Sequence, residues 1–127
     1  RVDEVNIKEE SIKDEDDKSE VARALDAEAD KILSAIPKGA GKIALCVEGK
    51  QMTSEQLAEY IESASSLSGC LCFVIGGSHG LSDEVKNAAA LRLSFSKLTF
   101  PHQLMRVILM EAVYRGFNII KGTKYHK

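Results

Sequence analysis

Apolar residues along the chain alternate between helical spacing and short unbroken runs, and the alternation itself predicts the fold. Val21, Leu25, Ile32, Leu33 and Ile36 recur on one face of a helix across 19–36, whose other face is acidic, and PKGAG ends it. KIALCV (42–47) reads as a short strand and EGKQM as a turn. TSEQLAEYIESA follows as a second helix, opened by a capping box in which Thr53 precedes Gln56 by three residues. Leu57, Tyr60, Ile61 and Ala64 form its buried face. CLCFVI (70–75) is continuously apolar, the pattern of a central parallel strand covered on both sides.

Beyond that strand the pattern predicts a glycine loop, a short helix from Asp83 to about Ala90, a strand LRLS, a loop FSKLTF and a long helix over 101–120. Pro101 suits its first turn, where a missing N–H costs nothing. Leu104, Ile108, Val113, Phe117 and Ile120 supply apolar positions, while Met105, Val107, Leu109 and Met110 point elsewhere. A helix with two apolar faces must bury the second, most simply against another copy of the chain. Gly122 stops it and TKYHK forms a tail. At the other end, Val5 and Ile7 alternate as a short strand within RVDEVNIK, and EESIKDEDDKSE reads as a charged connector. The order β-α-β-α-β-α-β-α predicts an α/β fold, a mostly parallel sheet with helices on both faces. No internal repeat interrupts it.

Length and composition, 127 residues with 44% hydrophobic, allow one sizeable core and a single domain. The chain opens without methionine, as a fragment would. It has no apolar run of membrane length and no charged-then-apolar leader, so a soluble, cytoplasmic protein is expected, with no membrane partner. Cys46, Cys70 and Cys72 each sit in an apolar run and read as small hydrophobes. CLC lacks the second ligand pair that zinc needs, and no metal is expected. The net charge of −2 hides an asymmetry: −7 over 1–30, −2 over 31–85 and +7 over 86–127. A basic C-terminal third with interleaved aromatic residues favours contact with nucleic-acid phosphates.

In a parallel sheet ligands sit beyond the carboxyl ends of strands, which places the loop after CLCFVI at a candidate site. Its glycines, Gly76, Gly77 and Gly80, match neither nucleotide fingerprint. Ser78 replaces the second glycine of G-x-G-x-x-G, and Leu81 and Ser82 stand where a P-loop needs Gly-Lys. A plain tight turn and a ligand loop both remain open. His79 reads as a loop residue, and His102 occupies a first helical turn suited to polar readout or proton handling. No Ser-His-Asp set can be assembled, so Ser94, Ser96 and Thr99 read as loop and cap residues.

Taken in order, FVIGGSHGL, LSFSKLTFPHQLMRVILMEAVYRGF and GTKYHK resemble the large-subunit ribosomal RNA methyltransferase H family of SPOUT enzymes. The resemblance is close from residue 43 onward. It implies a trefoil-knotted homodimer that uses S-adenosylmethionine to methylate N3 of a pseudouridine in 23S rRNA, within the assembled ribosome. By position it implies cofactor contacts at Leu45, Gly76, Phe95, Ser96, Lys97, Leu98, Thr99 and Phe100. His102, Arg106, Arg115, Tyr125 and His126 match the family's polar positions and are the candidates for catalysis and substrate. Lys97, Arg106, Arg115, Lys121, Lys124 and Lys127 would face rRNA phosphates. The family's N-terminal strand-helix unit is missing from the sequence. A non-catalytic RNA- or ribosome-binding module with the same basic face is the competing reading.

Overall fold

The computed structural model describes residues 2–122. Helices and strands alternate along it as α1 (Lys18–Ala35), β1 (Gly41–Gln51), α2 (Ser54–Leu67), β2 (Leu71–Ile75), α3 (Asp83–Ala88), β3 (Leu91–Ser94) and α4 (His102–Lys121). The strands form one parallel sheet in the order β2-β1-β3.

Local chemistry sets the helix ends. Asp17 caps α1 by accepting the N–H groups of Ser19 and Glu20, and Thr53 and Gln56 make both bonds of the capping box on α2. Ser82 caps α3 through the Val85 N–H. Pro101 leads into α4 without a side-chain cap, and Gly122 closes it at φ 72°, a left-handed conformation that glycine adopts without strain.

The sheet register divides the core. Ile43 pairs with Phe73 and Leu91, and Leu45 with Ile75 and Leu93, so these residues share one face. There Ile43, Leu45 and Leu93 pack against Leu57 and Ile61 of α2 and Leu109 of α4. Ala44 and Val74 face the other way and pack on Ala29 of α1 with Leu81 and Val85. Full burial of a single Leu or Ile is worth about 1.5–3 kcal/mol. Helices α2 and α4 also approach closely, because a Cβ on Gly116 would lie 3.3 Å from Ile61 Cδ1 and 3.7 Å from Ala58 Cα.

Several expectations are corrected. RVDEVNIK is not a strand: residues 2–16 contain no helix or strand and add no fourth strand to the sheet. CLCFVI lies at a sheet edge and β1 is central. Its continuous apolar run arises because Phe73 and Ile75 pack into one layer and Cys72 and Val74 into the other. EGKQ of EGKQM continues β1 instead of turning, through an irregularity that shapes the site below. Cys70 precedes β2 and is exposed. On α4 the buried side is Leu109, Ala112, Val113, Gly116 and Ile120, whereas Leu104 and Phe117 are exposed. The reason is that α2 and the sheet cover only part of the helix circumference.

Candidate functional site

At the carboxyl ends of the three strands lies a cavity of about 820 Å³, within the usual range for small-molecule sites. Its walls are the end of β1, the loops after β2 and β3, and the first turn of α4.

The β1 wall depends on a change of register. Leu45 and Lys50 both pair with Leu93, so residues 46–49 bulge out of the ladder. Gly49 permits this, since a Cβ there would stand 2.8 Å from the Arg92 and Leu93 backbone. The bulge turns Cys46, Val47 and Glu48 toward the cavity. Lys86 of α3 also lines it and pairs with Glu48, whose carboxyl is held below its usual range chiefly by that hydrogen bond. Burial, and after it the Glu48 charge, pushes the Cys46 thiol up, so it stays protonated at neutral pH.

The loop after β2 is a tight glycine turn. Gly80 takes φ 79° and donates its N–H to Gly77 O at 3.1 Å. Gly76 lines the cavity, and a Cβ there would lie 2.6 Å from the Gly80 carbonyl carbon, so its missing side chain serves the turn itself. Gly77 makes room for something else. A Cβ on it would collide with the carboxylate of Glu9, which accepts the Ser78 N–H at 2.8 Å. His79, on the same loop, stands 3.9 Å from Glu15.

Serines build the loop after β3. Ser94 Oγ donates to Ser96 O at 3.0 Å, and Ser96 Oγ accepts the Leu98 N–H at 2.9 Å, which are structural roles and not those of nucleophiles. The turn brings Phe95, Leu98 and Phe100 to the cavity opposite Leu45, with Ser96 and Thr99 as polar groups. Lys97 is exposed and outside the lining.

His102 begins α4 at the cavity wall, its Nδ1 3.2 Å from Gly76 O. A carbonyl only accepts, so Nδ1 carries the hydrogen, and in the neutral ring Nε2 is left with a lone pair. Arg106, one turn on and on the same helix face, is engaged by Gln103 and Glu4. Arg115 pairs with Glu111 and lies about 20 Å from His102 along the helix axis, at 1.5 Å per residue. Tyr125, His126, Lys124 and Lys127 lie outside the described residues.

Of the eight positions expected to contact a cofactor, seven thus meet around one cavity, and His102 joins them. Comparison with known proteins gives this convergence a lineage: a family model described as "Predicted SPOUT methyltransferase" matches residues 1–126. The chain belongs to the SPOUT methyltransferase family. It is 47% identical to the ribosomal RNA large subunit methyltransferase H of Caldicellulosiruptor saccharolyticus, over all of this chain and 80% of that protein. Identity to the protein of the same name from Caldicellulosiruptor bescii is 48% over the same shares. With that of Bacillus pumilus it is 53% over 103 residues, 80% of this chain and 65% of the relative.

Within this SPOUT chain, several cavity residues were not foreseen from the sequence: Glu9, Glu48 and Lys86. The motif V-E-G-K carried a usable signal, since a glycine inside a strand marks a bulge. For Glu9 no local signal exists, because it reaches the cavity across 69 positions of sequence. Among the described residues no helix is long and apolar enough to cross a membrane, and no cluster of His, Cys, Asp and Glu could hold a metal ion.

Proposed function

We propose that this protein is an S-adenosylmethionine-dependent methyltransferase that modifies N3 of a pseudouridine in the 23S rRNA of the large ribosomal subunit. It works in the cytoplasm as a homodimer, on the assembled particle, with the trefoil knot that its family implies. The observation that carries the reading is the convergence of Leu45, Gly76 and the 95–100 loop on one cavity, in a chain similar throughout to proteins named ribosomal RNA large subunit methyltransferase H.

The lining fits the donor's chemistry. Leu45, Phe95, Leu98 and Phe100 offer apolar walls that exclude water from an adenosine, and Ser96, Thr99 and the loop backbone offer polar groups for its edges. The bound donor supplies an electrophilic methyl group. What the chain must add is orientation and removal of the imide proton from N3. His102 Nε2, freed as an acceptor by the Nδ1 bond to Gly76 O, is the group suited to take that proton. Arg106 meets an rRNA phosphate by exchanging Glu4 for it, and the exposed Lys97 and Lys121 extend the same positive surface. Arg115, remote from the cavity and held by Glu111, contributes to RNA contact and not to proton removal.

The dimer follows from α4. Val107, Met110, Tyr114 and Phe117 form an exposed stripe flanked by Leu104. A second copy of the same helix would bury it.

Titration calorimetry with S-adenosylmethionine, paired with transfer of labelled methyl groups to ribosomes, tests the proposal. Binding and transfer are expected. Salt-sensitive RNA binding without donor uptake would instead establish the non-catalytic module. Cysteine labelling provides an independent check, because Cys46 lines the cavity and Cys70 is exposed well away from it. Saturating donor is expected to slow alkylation of Cys46 several-fold and leave Cys70 unchanged. Equal protection of both thiols, or of neither, would count against the assigned site.

A further inference from the structure

Most charged side chains around the cavity already have partners. Lys86 and Glu48 neutralise each other, and His79 faces Glu15. Glu9 is different: its carboxylate lines the cavity, accepts the Ser78 N–H, and pairs with no cation among the described residues. One bond uses only a quarter of the acceptor sites of an ionised carboxylate.

The backbone that carries Glu9 is held in place. The Glu9 carboxylate lies in the space that a Cβ on Gly77 would take. The segment that carries Glu9 is pinned on both sides, by Glu4 on Arg106 before it and by Glu10 after it. The Glu10 N–H donates at 2.8 Å to Oε2 of Glu28, a buried residue of α1, and the Glu10 carboxylate pairs with Lys31 at 3.5 Å. Glu9 is exposed, so it stands at the rim of the ligand cavity, where a carboxylate with no cation partner among the described residues is suited to a cationic group on the ligand.

We propose that Glu9 binds the α-ammonium group of the donor's amino-acid tail. The inference rests on the S-adenosylmethionine reading given above. The donor carries two cationic centres, the ammonium and the sulfonium, and the chemistry separates them. Methyl transfer discharges the sulfonium, so a carboxylate set against it would stabilise the ground state more than the transition state and slow the reaction. The ammonium keeps its charge before, during and after transfer. A carboxylate on it contributes binding and orientation at no cost to the chemical step.

The test is calorimetry on the wild-type protein and Glu9→Gln with three ligands: S-adenosylmethionine, S-adenosylhomocysteine and 5′-methylthioadenosine, which lacks the amino-acid tail. Glutamine keeps an oxygen for the Ser78 N–H and removes the charge. Expected is about a tenfold weakening, near 1.4 kcal/mol, for each of the two ligands with an ammonium and no change for methylthioadenosine. Weakening of S-adenosylmethionine alone would assign Glu9 to the sulfonium and overturn the proposal. Unchanged or tighter binding, or equal loss for all three ligands, would overturn it as well, the last as a structural role. If the wild-type protein bound none of the three, the donor reading would fall and this inference with it; wild-type binding with an unaffected variant rejects the Glu9 assignment alone.

Discussion

Leu109→Asp is expected to unfold the protein, while Val107→Asp leaves each chain folded and separates the dimer. The two residues are two positions apart in sequence and differ in where α4 points them. Leu109 is 8% exposed and packs with Ile43, Leu45, Leu57, Ile61 and Leu93, the centre of the larger core layer. Truncating a buried leucine costs about 2–5 kcal/mol before any charge is considered, and an unpaired carboxylate in that site adds its desolvation. Single domains hold only about 5–15 kcal/mol in total, so the variant would lose most of its stability. Val107 is 64% exposed in the single chain, and a charge there disturbs nothing within it.

Circular dichroism with urea unfolding separates the first outcome from the second, and sedimentation at micromolar concentration reads the second. Val107→Asp should keep wild-type helicity and sediment as a monomer. Wild-type protein that sediments as a monomer would refute the dimer; a Val107→Asp dimer of wild-type affinity would move the interface off this stripe.

Much of this architecture was legible in the sequence because it is written in local terms. Spacing located α1 and α4 to within a residue, and the Thr53/Gln56 box marked the start of α2, which runs three residues past the expected TSEQLAEYIESA to Leu67. What spacing cannot encode is which side of an apolar helix finds a neighbour. The α4 pattern groups Leu104 with Val113 and Phe117 and sets Leu109 apart, and only the position of α2 and the sheet buries Leu109 and exposes Leu104. A strand likewise needs a partner. Val5 and Ile7 alternate correctly, yet they pair with none of the three strands.

The candidate site divides along the same line. The loops after β2 and β3 could be named from their strands and from the family motif. Glu48 enters through a bulge where the sequence predicts a turn, and Glu9 through a contact between distant segments. Neither the Gly76 nor the Gly77 requirement is visible in G-G-S-H-G, because one glycine yields to backbone within the loop and the other to a side chain from outside it.

His102→Asn is expected to retain donor binding and lose methyl transfer by about 10²–10⁴-fold, the usual contribution of a positioned acid-base group. The choice of asparagine follows from the two ring nitrogens. An asparagine amide N–H stands near the position of Nδ1 and can keep the bond to Gly76 O, so the glycine turn stays as it is. Nothing in asparagine replaces Nε2 as a proton acceptor. Glutamine reverses the exchange, reaching toward the Nε2 position and giving up the Gly76 contact, so His102→Gln should weaken donor binding as well as transfer. The pair therefore separates the two jobs of one side chain. Calorimetry reads the turn, and single-turnover transfer to ribosomes reads the base. Transfer by His102→Asn within about threefold of wild type would show that His102 does not take the proton. Its place in the structure would then reduce to closing the wall of the cavity through Gly76.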